Sequence, residues 1–146
     1  MMDEVWDGVY VMNPAPGERH AEVVQQLAEV LGPLARAAGL IPRMSIFNLG
    51  EPENYRIPDG ALVRERGNRV YVPTAALVVE VVSPDDDTWK KLDFYAAHEV
   101  DELLIVDPEQ REVHWSRLTP DGEYARVERS ELIALGPELA RMIDWP

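Results

Sequence analysis

The chain contains no cysteine. That excludes disulfides, thiolate chemistry and zinc sites built on sulfur. No stretch approaches the roughly 18 apolar residues of a membrane span, and no basic N-terminal segment leads into an apolar run. Both absences set the expectation of a soluble, cytoplasmic protein with no membrane partner. Bases are also scarce, 14 Lys and Arg against 27 Asp and Glu, for a net charge of −13. Taken as a whole, such a body repels phosphate, the group that dominates nucleic-acid affinity. There is no internal repeat or low-complexity segment. The 146 residues are enough for a single domain, 1–146, around one sizeable core.

What is present is unevenly placed. Residues 1–16 hold three acids and no base, residues 17–73 balance seven acids with seven arginines, and residues 74–146 carry seventeen acids against seven bases. Arg56, Arg64, Arg66 and Arg69 sit close together in the neutral part, which allows a local basic face on an acidic body. For most of the charges, solubility is reason enough.

Hydrophobic periodicity predicts a mixture of helices and strands. Asp7-Gly8 between apolar residues signals a hairpin. Val23, Val24, Leu27, Val30, Leu31, Leu34 and Ala38 form the stripe of an amphipathic helix over 18–38, with Gly32-Pro33 expected to kink or divide it and Gly39 to stop it. Strands are expected over 41–49, 56–66, 71–72 and 75–83. Asp87 reads as the N-cap of a helix from 88 to about 98, and Leu103-Leu104-Ile105-Val106 as another buried strand. Strand, helix and strand in succession make a crossover, which places the two strands in parallel. A hairpin over 112–118 and 123–128 follows, then a short helix or capping segment over 131–143.

One residue breaks the most apolar strand: Glu80, inside Leu77-Val78-Val79-Glu80-Val81-Val82. An ionised carboxylate is costly there unless a metal, a cation or a set of donors compensates it. Asp59, in Ile57-Pro58-Asp59-Gly60, lies on or beside the preceding strand. Lys91 lies in the first turn of the helix that follows. Helical side chains lean toward the N-terminus, so Lys91 is expected to reach back toward Glu80, with Tyr95 one turn later on the same face and Leu92 and Ala96 against the sheet. Two carboxylates on neighbouring strands can share one magnesium ion, which retains waters and takes phosphate oxygens. A lysine beside it can orient or deprotonate water and stabilise charge on phosphorus.

Each of these residues also has a plainer reading. Glu80 can be held by a buried arginine or by backbone donors, Asp59 can be a turn residue, and Lys91 can face solvent or pair with Asp87. Asp85-Asp86-Asp87 reads as a solvated loop at a helix N-terminus. His20 is expected to pack near its helix start, with the site as the alternative. His98, His114 and the four tryptophans read as structural. Ser83 lacks a histidine partner, and a two-carboxylate glycosidase would need an aromatic sugar platform that cannot be located.

The order of motifs resembles the PD-(D/E)XK nuclease superfamily and, more narrowly, the Uma-type family of restriction-endonuclease-like proteins. The segments that carry the resemblance are Glu18-Arg19-His20, Pro58-Asp59, Val78-Val79-Glu80-Val81-Val82-Ser83-Pro84, Lys91-Leu92-Asp93-Phe94-Tyr95 and Val106-Asp107-Pro108. Two positions depart from the pattern. The superfamily's lysine falls two residues after the glutamate, where this chain has Val82; the Uma-type family supplies it from the next helix, which Lys91 matches. The acid that normally precedes the histidine is replaced by Arg19, with Glu18 one residue further back.

The resemblance implies an α/β (α+β) restriction-endonuclease-like fold, a mixed central sheet flanked by helices. It implies a Mg2+- or Mn2+-dependent endonuclease acting on DNA, with Asp59 and Glu80 on the metal and Lys91 beside them. Glu18, His20 and Tyr95 would be accessory, Arg56, Arg64 and Arg66 would contact the nucleic-acid backbone, and the protein would work as a homodimer. The competing expectation is a non-catalytic nuclease-fold protein serving as an interaction or scaffold module.

Overall fold

Val23, Leu27, Leu31 and Ala35 recur every fourth residue, and all four are buried along one side of helix α1, Glu18–Ala37. The computed structural model describes residues 3–13, 15–83 and 87–146. Pro33 does not divide α1 as expected. It lies on the exposed side together with Glu29, whose carbonyl would have accepted the missing N–H and can bond to water instead. Gly39 ends the helix at φ +77°, and the Leu40 N–H returns to the Ala35 carbonyl at 2.8 Å, the bond that closes a left-handed C-terminal cap.

Helix α1 covers one face of a six-stranded sheet. Its strands are β3 (Ile41–Arg43), β6 (Gly60–Val63), β8 (Leu77–Val81), β9 (Glu102–Asp107), β10 (Glu112–Leu118) and β11 (Tyr124–Val127), in the spatial order β11-β10-β9-β8-β6-β3. Only β8 and β9 run parallel. They are joined by a 3-10 turn, Thr88–Lys91, and helix α2, Leu92–Ala97, the expected crossover. Asp87 does not cap this turn through its side chain; it pairs with Lys90 at 3.0 Å. Pro84, Asp85 and Asp86 lie outside the described residues.

A second, five-stranded sheet was not apparent in the sequence. It comprises β1 (Glu4–Trp6), β2 (Val9–Val11), β4 (Asn48–Glu51), β5 (Asn54–Arg56) and β7 (Tyr71–Val72), in the order β2-β1-β5-β4-β7. The Asp7-Gly8 hairpin joins β1 and β2 as expected. The strand expected over 41–49 is split between the sheets, β3 in one and β4 in the other. The strand expected over 56–66 is likewise split into β5 and β6 at Ile57-Pro58-Asp59. Proline has no N–H to donate to a ladder, and the chain changes sheets there.

The two faces of the six-stranded sheet have different cores. Leu77, Val79 and Val81 pack with α1 and with Ile133, Leu135 and Leu139 of the C-terminal segment. In that segment only Leu139–Met142 is helical, α3. Glu102 anchors its start: buried Oε1 accepts from Ser130 Oγ at 2.6 Å and Oε2 from the Glu131 N–H at 2.8 Å. On the opposite face Val78 packs with Ala61, Phe94, Tyr95 and Leu49. The two-residue period of a strand puts Glu80 on that second face, with Val78. No helix among the described residues is long and apolar enough to cross a membrane.

Candidate active site

Register brings the two acids together. β6 and β8 are antiparallel with Gly60 opposite Val79, so the same register continued by one residue sets Asp59 opposite Glu80. Directly opposed residues of an antiparallel pair project to the same face. Asp59 Oδ2 accepts the Val81 N–H at 2.7 Å, at the edge where Pro58 ends the ladder. Asp59 Oδ1 lies 3.1 Å from His20 Nε2 at the start of α1. His20 therefore reaches the site, the less expected of its two readings. Glu18 is exposed and makes no hydrogen bond or ion pair to the site among the described residues.

Glu80 is 4% exposed. Its Oε1 accepts from the Tyr95 hydroxyl at 2.5 Å and lies 3.8 Å from Lys91 Nζ; Oε2 has no described partner. Burial pushes the Glu80 carboxyl up to about 8, against the pull of Lys91 and the Tyr95 hydrogen bond and with the push of Asp59 and Glu4. Burial likewise holds the Tyr95 phenol well above its usual range, with Glu80 adding to the effect. Tyr95 lines the site as its spacing from Lys91 predicts.

Lys91 turns inward, while its neighbour Lys90 takes the Asp87 pairing. Burial alone would lower the Lys91 ammonium, but Glu80 and Glu4 outweigh it and hold the group above its usual value. Lys91 is thus held as a cation beside the two carboxylates. On α2 Phe94 joins Tyr95 in the buried cluster, and Leu92 packs half-buried against it as expected, with Ala96 also half-buried. Gly50, at φ +129°, makes room for Phe94: a side chain there would collide with the ring and with the Asn54 carbonyl.

One acid of this cluster escaped the sequence. Glu4, fully buried on β1, accepts from Trp6 Nε1 at 2.9 Å, from the Ile57 N–H at 2.7 Å and from Lys91 Nζ at 2.9 Å. The signal available was an acid facing inward from a short strand, and three residues are too few to show which face is inward.

One of the expected backbone-contacting arginines, Arg56, needs correction. Arg56 is 5% exposed, its guanidinium 4.3 Å from the Trp6 ring centre and 4.1 Å from that of Phe94. Its Nη1 donates to the Val5 and Tyr55 carbonyls and to Asn54 Oδ1, while buried Nε makes no hydrogen bond among the described residues. It is a packing cation joining the second sheet to α2, with no surface to offer a nucleic-acid backbone. Arg64 is exposed and pairs with Asp101, and Arg66 is exposed. Arg69, part of the expected basic cluster, and Arg43, which lay outside it, line a small pocket with Phe47, Val63 and Glu65.

The fold that carries these residues has a known counterpart. A crystal structure described as "a putative nuclease belonging to DUF820", from Anabaena variabilis, superposes with a TM-score of 0.69 at 16% identity, over 97% of this chain and 84% of that one. At that identity the likeness concerns the fold. No curated protein sequence matches. The family model described as "Uma2: Putative restriction endonuclease" matches residues 3–142, nearly the whole chain, and the protein belongs to that family.

Proposed function

We propose that the chain is a divalent-metal-dependent nuclease that hydrolyses phosphodiester bonds in DNA at the Asp59–Glu80–Lys91 cluster. The observation that carries this reading is the opposition of Asp59 and Glu80 across β6 and β8, with a buried ammonium 3.8 Å from Glu80. The donor set fits magnesium or manganese, which bind through one or two carboxylates and leave the remaining positions to water and phosphate. Glu80 Oε2 makes no described hydrogen bond, which leaves it open to such a partner. When bound, the cation supplies positive charge that draws electron density from the phosphate and acidifies water.

The chain's own groups have separate tasks. Asp59, fixed by the Val81 N–H and His20, and Glu80, fixed by Tyr95, hold the cation. Lys91 donates to the non-bridging phosphate oxygens, where negative charge grows as water attacks phosphorus and one P–O ester bond breaks. As water attacks, one of its protons passes to solvent and the other stays on the product phosphate, while solvent returns a proton to the departing oxygen. Arg64 and Arg66, exposed beyond β6, are the cations left to meet the backbone, with Arg43 and Arg69 beside them. Association into a homodimer would offer one site to each strand of a duplex.

Incubation of supercoiled plasmid with the purified protein tests the reading: nicking or linearisation in magnesium or manganese that stops in chelator. An intact plasmid at all metal concentrations argues for the non-catalytic scaffold instead. That second reading draws on one observation, that the hydrogen-bond partner of Lys91 is Glu4 rather than Glu80.

A further inference from the structure

Glu4 plays no part in the chemistry just described, yet it is the most enclosed acid beside the site. Its side chain is 1% exposed, against 5% for Glu80 and 9% for Asp59. Burying a carboxylate costs several kcal/mol unless donors replace the lost water. Three donors do so here: an indole, a backbone amide and an ammonium. Two of them, the Ile57 N–H and Lys91 Nζ, converge on the same oxygen, Oε2.

That convergence has a mechanical meaning. Lys91 brings its ammonium from the edge of a helix on a flexible four-carbon stem, and of its two carboxylate neighbours only Glu4 is within hydrogen-bond distance. Ile57 belongs to Ile57-Pro58-Asp59, the segment that delivers Asp59. Oε2 of Glu4 therefore ties the helix lysine to the backbone that carries the first carboxylate of the site. Glu4 comes from the N-terminal strand of the second sheet, so this sheet completes the site.

We propose that Glu4 is the positioning residue for Lys91, holding its ammonium beside Glu80 without itself touching substrate. The catalytic consequence rests on the nuclease reading; the positioning does not. Lysine occurs twice, as Lys90 and Lys91, so nitrogen-15 lysine labelling gives two side-chain ammonium signals. Lys90, whose side chain is 71% exposed, is the internal reference.

In the parent protein at neutral pH the Lys91 signal should persist while exchange with water erases that of Lys90. Glu4→Gln should erase the Lys91 signal with the backbone amide spectrum intact; Glu80→Gln should leave it in place. In magnesium, Glu4→Gln should lower kcat for plasmid cleavage about 100-fold, the cost of a misplaced catalytic group, with KM unchanged. If Glu4→Gln alone fails to fold, the double variant Glu4→Gln/Lys91→Met should fold, because no ammonium is left stranded. A Lys91 signal that survives Glu4→Gln, one lost only in Glu80→Gln, or a double variant as unfolded as the single, overturns the proposal. A parent protein that cuts nothing yet shows the expected ammonium pattern supports the positioning and overturns the nuclease reading.

Discussion

The Tyr95 hydroxyl donates to Glu80 Oε1 at 2.5 Å, one helical turn beyond Lys91. A phenol, an ammonium and a second carboxylate thus meet one buried acid whose ionisation is held near neutrality, up to about 8.

Stability in chelator should therefore fall as pH rises. The folded Glu80 carboxyl titrates near 8 and the unfolded one near 4.5, so between those values the folded chain retains a proton that the unfolded chain has released. The contribution is complete below about pH 4.5 and is lost as pH rises through about 8. Urea midpoints across this window should fall more steeply in the parent than in Glu80→Gln. Parallel curves would show that Glu80 is not the group responsible.

Tyr95→Phe keeps the buried ring and removes a hydrogen bond that lowers the Glu80 value. Glu80 should then hold its proton to higher pH, and a cation competing for that oxygen should need more alkaline solution. Manganese calorimetry as a function of pH should show the binding midpoint move upward. Removing the hydrogen bond should cost about 1 kcal/mol of stability.

Arg56→Lys keeps the charge and removes the planar group between Trp6 and Phe94. Stability should drop by about 1–2 kcal/mol, while the salt dependence of any DNA binding stays as in the parent. Arg64→Ala with Arg66→Ala should do the reverse, lowering the slope of log affinity against log salt by about 1 for each phosphate no longer neutralised. Fluorescence anisotropy over a salt series, paired with thermal melts, separates the two cases.

Gly50→Ala should destabilise by about 1–3 kcal/mol, the usual cost of overpacking, with a further part from the unfavourable positive φ. The added methyl collides with Phe94, whose neighbour in α2 is Tyr95. The drop in stability should therefore be accompanied by a change in Tyr95 fluorescence or ring resonances.

The candidate residues were named on an apolar run and a family resemblance, and the frame around them came through only in part. Glu80 stood out because an unbroken apolar run states its own burial. Tyr95 was placed beside Lys91 by their four-residue spacing, whereas Lys91 itself drew its weight from the motif order of the Uma-type resemblance. Asp59 was named from the Pro58-Asp59 motif of the same resemblance, and the register of β6 against β8 then sets it opposite Glu80. The second sheet was not legible: β1, β2 and β5 have three residues each and β7 two, too short for alternation to build a pattern. Glu4 was hidden for the same reason, since only the docking of that sheet against α2 reveals it as buried. Arg56 misled because its burial depends on two rings from distant parts of the chain, Trp6 and Phe94. The break at Pro58 carried local turn chemistry, but which sheet each half joins is decided by the tertiary fold.

Everything proposed for catalysis depends on Glu80 and Lys91 acting together on a phosphodiester. Plasmid cleavage in magnesium should be measured side by side for the parent, Glu80→Ala and Lys91→Ala, with circular dichroism to verify that each remains folded. Cleavage by the parent and none by either variant is the expected outcome. Folded variants that cut as fast as the parent would contradict it.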